Sequence, residues 1–188
     1  MSTGRSEVRN NAETRFVWVD LEMTGLAVET CAIVEMAVVI TGPDLVSLAE
    51  FETPVWQPDE VLARMDPYVR AMHEKSGLID RVRASQVSVR QAEERALTLV
   101  SAHTPYGQGV LSGNTIYMDR LFLRRYMPQL EGYLHYRQVD VSSLKVLVKT
   151  WYPDREFQKP GKTHTALDDI RGSIAELSYY RQHILHHG

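Results

Sequence analysis

Phe16-Val17-Trp18-Val19-Asp20-Leu21-Glu22 is an apolar run that closes on two acids. Valine and aromatic residues in a short run read as a buried β-strand. Side chains alternate along a strand, so Asp20 and Glu22 share a face, roughly 7 Å apart at their Cα atoms. Carboxylates this close repel unless a proton or a cation sits between them. Oxygen ligands suit hard divalent ions such as Mg²⁺ or Mn²⁺. The strand is therefore a candidate for the centre of a sheet and for one wall of a metal site.

The neighbouring sequence extends the sheet. Ile33–Thr41 is a second strand, and Gly42-Pro43-Asp44 turns the chain into a third, Val46–Thr53. Three strands joined by short connections read as an antiparallel meander. Pro58 with Asp59 and Glu60 opens a short helix, and Pro67 opens another that ends near Ser76-Gly77. Ser88 to His103 is a helix with a capping box, Ser88 and Gln91, and Pro105 ends it. A strand follows at Val110–Ser112, then a helix capped by Asn114 or Thr115 and stopped by Pro128. A strand at Arg137–Val141, a helix at Ser142–Trp151 and a last helix at Ala166–Tyr180 complete the chain. A meander followed by alternating α and β predicts an α/β fold, with a mixed five-stranded sheet flanked by helices.

Three further residues join Asp20 and Glu22. Asp119 sits one turn into the helix after Val110–Ser112, near the strand ends. The last helix has Leu167, Ile170, Ile174 and Leu177 on one face, and Thr165 with Asp168 fits the capping pattern. Asp169 lies off that apolar stripe, beside Gly172 and Ser173. His164 precedes the helix on a loop, and an imidazole with an unperturbed pKa near 6.5 suits a general base. Glu35, inside the apolar second strand, reads instead as a buried, hydrogen-bonded structural group.

Asp-x-Glu, a helical Asp, then His-x4-Asp is an order that resembles the DEDDh 3′→5′ exonucleases of the ribonuclease H-like superfamily. Within them the chain is most similar to the oligoribonuclease family. The matching stretches are Val19 to Leu26, Gly113 to Asp119, His135-Tyr136-Arg137 with Asp140-Val141-Ser142, and His164 to Tyr180. The resemblance implies a ribonuclease H-like fold and hydrolysis of short oligoribonucleotides, especially dinucleotides, to 5′-nucleoside monophosphates. It implies two divalent ions (Mg²⁺ or Mn²⁺) on Asp20, Glu22, Asp119 and Asp169, about 4 Å apart, with His164 as base.

It also implies that Leu26 wedges between bases and that Tyr68 stacks on one, with His73 near the substrate. Thr115, Arg137 and Ser142, with Ser143 or Lys145, match a group that binds a 5′ phosphate. Tyr136 and Arg137 reach across a homodimer in the family. The sequence departs from the family pattern at Tyr68 (Trp in many relatives), Thr115 (Ser) and Met118 (Gln). Two other readings stay open: another DEDDh exonuclease acting on longer RNA or DNA, and a non-catalytic protein that binds short nucleotides.

Composition bounds these readings. The chain has 188 residues, 44% hydrophobic, enough for one exonuclease domain, expected over residues 15–182. Residues 1–14 and 183–188 are expected to be flexible ends. The net charge is −3, with a pI of about 6.2. Proteins that track long nucleic acids usually carry a basic surface, so this balance favours a small substrate. Cys31 is the single cysteine, which excludes an intrachain disulfide and fits a reducing cytoplasm. No stretch is long and apolar enough for a signal peptide or a membrane span.

Overall fold

The computed structural model describes residues 14–158 and 165–185. His164, the expected N-terminal segment up to residue 13 and the tail from residue 186 lie outside them. The strands are β1 (Arg15–Met23), β2 (Ile33–Thr41), β3 (Ser47–Pro54), β4 (Gly109–Gly113) and β5 (Gln138–Asp140). The helices are α1 (Asp59–Leu62), α2 (Pro67–Lys75), α3 (Leu78–Ala84), α4 (Val89–His103), α5 (Tyr117–Tyr126), α6 (Pro128–Tyr133), α7 (Val141–Trp151) and α8 (Ala166–Tyr180). A π-helical turn, Arg181–Leu185, continues α8.

The five strands form one sheet in the order β3-β2-β1-β4-β5. β1, β2 and β3 pair antiparallel, as the meander predicts, and β4 joins β1 in parallel, with β5 parallel beside it. The expected mixed α/β architecture is the one observed. Every residue of β2 is buried, as befits a strand between two neighbours in a sheet covered on both faces.

Alternation along β1 divides two cores. Val17, Val19 and Leu21 face α4, α5 and α6, where Ala96, Val100, Phe122 and Leu123 pack. Trp18 faces the other way, with Ala37 and Val39, onto Val148 of α7 and Ile170 and Leu177 of α8. The Trp18 indole N–H donates to Thr41 Oγ1 at 3.0 Å, so its one polar atom is satisfied inside the core. By strand parity Asp20 and Glu22 belong to the α7–α8 side. Each large apolar side chain buried in these cores contributes roughly 1.5–3 kcal/mol.

The expected capping chemistry holds at α4 and α8. Ser88 and Gln91 form the capping box of α4, and Thr165 Oγ1 accepts from the Asp168 N–H at 3.2 Å. Strand and helix ends shift by a residue or so, as at Val141, expected to end β5 but observed to open α7, and other details differ from expectation. Neither Asn114 nor Thr115 caps α5: the helix starts after Ile116 with no side-chain cap, and Thr115 has φ 54°. Its N–H is drawn away to Asp140 Oδ1 and Ser142 Oγ, both at 3.0 Å. Pro128 not only stops α5 but opens α6 at its first position, where a missing N–H costs nothing. And α3 follows directly on Gly77 (φ 70°), a helix too short to show a period.

Candidate active site

β4 stops pairing with β1 at Trp18 and Ser112, so β1 runs on beyond its parallel neighbour. Asp119 takes up the edge left there: its Oδ1 accepts the Leu21 N–H at 2.9 Å. That contact sets a carboxylate of α5 beside the residue between Asp20 and Glu22. On its other side β1 is in antiparallel register, with Asp20 opposite Ala37 and Glu22 opposite Glu35, and an irregularity falls between Glu22 and Met23. Asp169 comes from the first turn of α8, where its N–H donates to Thr165 O at 3.0 Å.

The electrostatics record how close these groups are. The Glu22 carboxyl is pushed up to about 7, first by burial, then by the carboxylates of Glu35, Asp169 and Asp119; Arg81 opposes the shift. Asp119 is 7% exposed. Burial drives its pKa well above the usual carboxylate range, against the hydrogen bond from Leu21, and Asp140 adds to the rise. Glu35 is fully buried; Arg81 pairs with it and the Ala166 N–H donates to it at 3.3 Å. That is the structural role its sequence context suggests.

Among the described residues no three acid, His or Cys side chains stand close enough to share one ion in the arrangement seen. The donor set itself fits a hard divalent cation. It is all oxygen, and the burial and, after it, the like charge that keep a proton on Glu22 are what such a cation would offset. The pH dependence follows. A Glu22 pKa of about 7 in the fold, against 4.5 as the reference, makes a stabilising contribution that is full below pH 4.5 and is lost as pH rises through 7. In EDTA the melting temperature is expected to fall between pH 5.5 and pH 8. Mn²⁺ should raise it more at pH 8 than at pH 5.5. Thermal melts at both values check this; a flat metal-free profile would contradict the raised Glu22 pKa.

His73 stands beside the acids. It is buried, its Nε2 lies 2.9 Å from Met23 O, and its Nδ1 is 4.0 Å from Glu22 Oε2. With Nε2–H donating to that carbonyl, the neutral ring turns Nδ1 toward Glu22. Burial lowers its pKa, which favours the neutral form. Leu26 and Tyr68 are exposed, at 68% and 79%. Leu26 rides on a pinned loop: Thr24 N–H donates to Ala32 O, Ala32 N–H to Thr24 Oγ1, and the Tyr126 hydroxyl reaches Val28 O and Cys31 O. Tyr68 opens α2, the helix that carries His73.

A second cluster forms where β4 and β5 end. Thr115 Oγ1 lies 3.2 Å from Ser142 Oγ, and Asp140 Oδ1 accepts from the N–H groups of both Thr115 and Ser142. The hydroxyls expected to meet a phosphate are thus side by side. Arg137 and Tyr136 lie before β5. The Arg137 guanidinium sits 5.2 Å from the Tyr136 ring centre, and His135 stacks on that ring at 4.5 Å. The Arg137 N–H donates to His135 Nδ1 at 3.0 Å, and its carbonyl accepts from Arg120 at 3.4 Å. Lys145 pairs with buried Glu176 at 3.4 Å.

Sequence reading passed over two residues that organise this site. Arg120, 7% exposed, pairs with Glu131 at 2.9 Å and donates to His135 O at 2.9 Å and Arg137 O at 3.4 Å. It ties the segment carrying Tyr136 and Arg137 to the helix of Asp119. Asn114, considered only as a cap, bonds Ser142, Ser173 and Glu176. A charged residue next to a candidate ligand was the only hint for Arg120. Nothing local marked Asn114.

Comparison with known proteins gives the lineage. Residues 17–177 match the exonuclease family model RNase_T. An oligoribonuclease of Francisella tularensis subsp. holarctica is 47% identical over 170 residues, covering 90% of this chain and 95% of that protein. An oligoribonuclease of Pseudomonas paraeruginosa is 50% identical over 171 residues, with the same coverage. Among solved structures, exonuclease I of Methylocaldum szegediense matches with a TM-score of 0.73 at 16% identity, covering 92% of this chain and 41% of that one. The zinc-bound exonuclease I–ssDNA complex of E. coli matches with a TM-score of 0.73 at 12% identity, and this chain again spans 41% of it. At such identities these structures speak for the fold alone, which is ribonuclease H-like. The acids gathered from β1, α5 and α8 and the match along nearly the whole chain agree, and the chain belongs to the oligoribonucleases, within the exonuclease family.

Proposed function

We propose that the protein removes nucleotides from the 3′ end of very short RNAs, dinucleotides above all, releasing 5′-nucleoside monophosphates. The observation that supports this most is the meeting of Glu22, Asp119 and Asp169, from three separate elements, at the end of the central strand. Asp20, Glu22, Asp119 and Asp169 would hold two divalent ions. Bound there, Mg²⁺ or Mn²⁺ would acidify a water and stabilise the leaving 3′ oxygen. His164 would take the proton of that water; the assignment rests on its place five residues before Asp169, in the His-x4-Asp motif. His73, buried beside Glu22, would lie near the substrate.

The substrate's bases would meet Leu26 as a wedge and Tyr68 as a stacking face, both already exposed. Thr115 and Ser142 would hold the 5′ phosphate of a dinucleotide, and Arg137 would grip it bidentately. Arg137 and Tyr136 lie against each other before β5, and in the homodimer that the family resemblance implies they would reach across to the partner's site. Among the described residues no helix is long and apolar enough to cross a membrane. The lone cysteine is consistent with a cytoplasmic setting.

The test is the initial rate on 5′-labelled RNAs of two and seven nucleotides, in Mn²⁺ and in EDTA. Metal-dependent release of 5′-monophosphates with a strong preference for the dinucleotide is expected. Preference for the seven-mer would keep the nuclease and overturn the substrate class. Tight binding without cleavage would leave a non-catalytic binder. In the same assay Arg137→Ala should raise KM for the dinucleotide by about ten- to a hundredfold, the scale of a charge-assisted hydrogen-bonded pair. The seven-mer should be affected less, and equal losses would contradict the phosphate role.

A further inference from the structure

Asn114 lies between the two halves of the site. Its Oδ1 accepts from the Ser142 hydroxyl at 3.1 Å. Its Nδ2 donates to Ser173 Oγ at 2.8 Å and to Glu176 Oε2 at 3.3 Å. The Ser173 hydroxyl donates in turn to the backbone carbonyl of Asp169 at 2.9 Å. An unbroken line of hydrogen bonds therefore runs from Ser142 on α7, through one amide, to the residue on α8 that carries a site carboxylate.

The far side of the amide is anchored. Glu176 is 1% exposed, accepts from the Tyr180 hydroxyl at 2.8 Å and pairs with Lys145 at 3.4 Å. A side-chain amide gripped at both ends in a mostly buried setting has little freedom to move. It also precedes Thr115, the left-handed residue whose hydroxyl meets Ser142. Moving Asn114 would shift Thr115 and Ser142 relative to Asp169 together.

We propose that Asn114 is a positioning residue that sets the spacing between the Thr115–Ser142 hydroxyls and Asp169, and so makes the enzyme prefer dinucleotides. The proposal rests on the reading that those hydroxyls hold a 5′ phosphate. A dinucleotide must reach both points at once, so an error in their spacing is felt in full. A longer RNA is held by its 3′ end and its bases, and its 5′ end need not reach the hydroxyls. The role is geometric: Asn114 touches neither the scissile bond nor the phosphate.

The experiment compares wild type, Asn114→Ala and Ser173→Ala by kcat/KM on a 5′-phosphorylated dinucleotide, the same dinucleotide without the phosphate, and a seven-mer, in Mn²⁺. Asn114→Ala should lose about tenfold or more on the phosphorylated dinucleotide, the scale of a small misplacement of bound substrate. It should lose less than about threefold on the seven-mer, and the 5′-phosphate advantage should shrink. Ser173→Ala, which removes the two bonds that Ser173 makes in the line but leaves Asn114 held by Ser142 and Glu176, should show the same pattern more weakly, and it carries the test if Asn114→Ala does not fold. Equal losses on both lengths, with wild type preferring the dinucleotide, would overturn the spacing role alone. A wild type indifferent to the 5′ phosphate would overturn the phosphate reading beneath it as well.

Discussion

Asp119→Asn is expected to remove turnover of short RNA by about a thousandfold or more, because it deletes a charged ligand from the site while keeping its shape. Asparagine has the volume of aspartate and retains an oxygen that can accept the Leu21 N–H, the contact that seats the side chain against β1. The fold should therefore survive. It should even be easier to maintain without metal above pH 7, since the variant no longer buries a charge whose ionisation the fold opposes. Loss of activity with an unchanged or raised metal-free melting temperature is the signature to look for. Asp119→Ala is the less clean variant: it also strands the Leu21 N–H, and that cost would mix with the catalytic one. Activity of Asp119→Asn within tenfold of wild type would remove Asp119 from the ligand set.

His164→Ala is expected to lower kcat by about a hundred- to ten-thousandfold, the usual contribution of a positioned general base. Metal binding should change little, because the four carboxylates remain. The two variants thus separate: one loses the metal and the rate, the other the rate alone. The pH profile adds a second readout. If an imidazole accepts the proton, the rate of wild type should rise with pH through its titration and then level, and His164→Ala should lose that rise. A near-normal rate in His164→Ala would mean that bulk water or another group takes the proton.

The strands and the acid order were readable from local sequence because each depends on its own neighbours. Ile33–Thr41 emerges with the predicted bounds since nine consecutive residues are buried and β-prone. The Ser88–Gln91 capping box does too, because its partners are three residues apart. Spacing and helix phase place Asp20 and Glu22 on one strand face and Asp119 and Asp169 in first helical turns; that the four form one metal site is what the family resemblance implies. What the sequence could not supply were contacts between distant segments. Thr115 leaves the cap position it was expected to fill because Asp140 and Ser142, more than twenty residues on, capture its N–H. Asn114 looks like any polar residue after a strand, and its partner Glu176 is 62 positions away. Arg120 is a buried guanidinium on a helix that also has exposed arginines, and only the folded chain tells them apart.

The most direct measurement is dinucleotide turnover across a Mn²⁺ titration that begins in EDTA, with wild type and Asp119→Asn side by side. The account predicts no cleavage in EDTA, wild-type activity that rises with Mn²⁺ to a plateau, and no matching rise in the variant. Cleavage that persists in EDTA, or a variant that follows the wild-type curve, would contradict it.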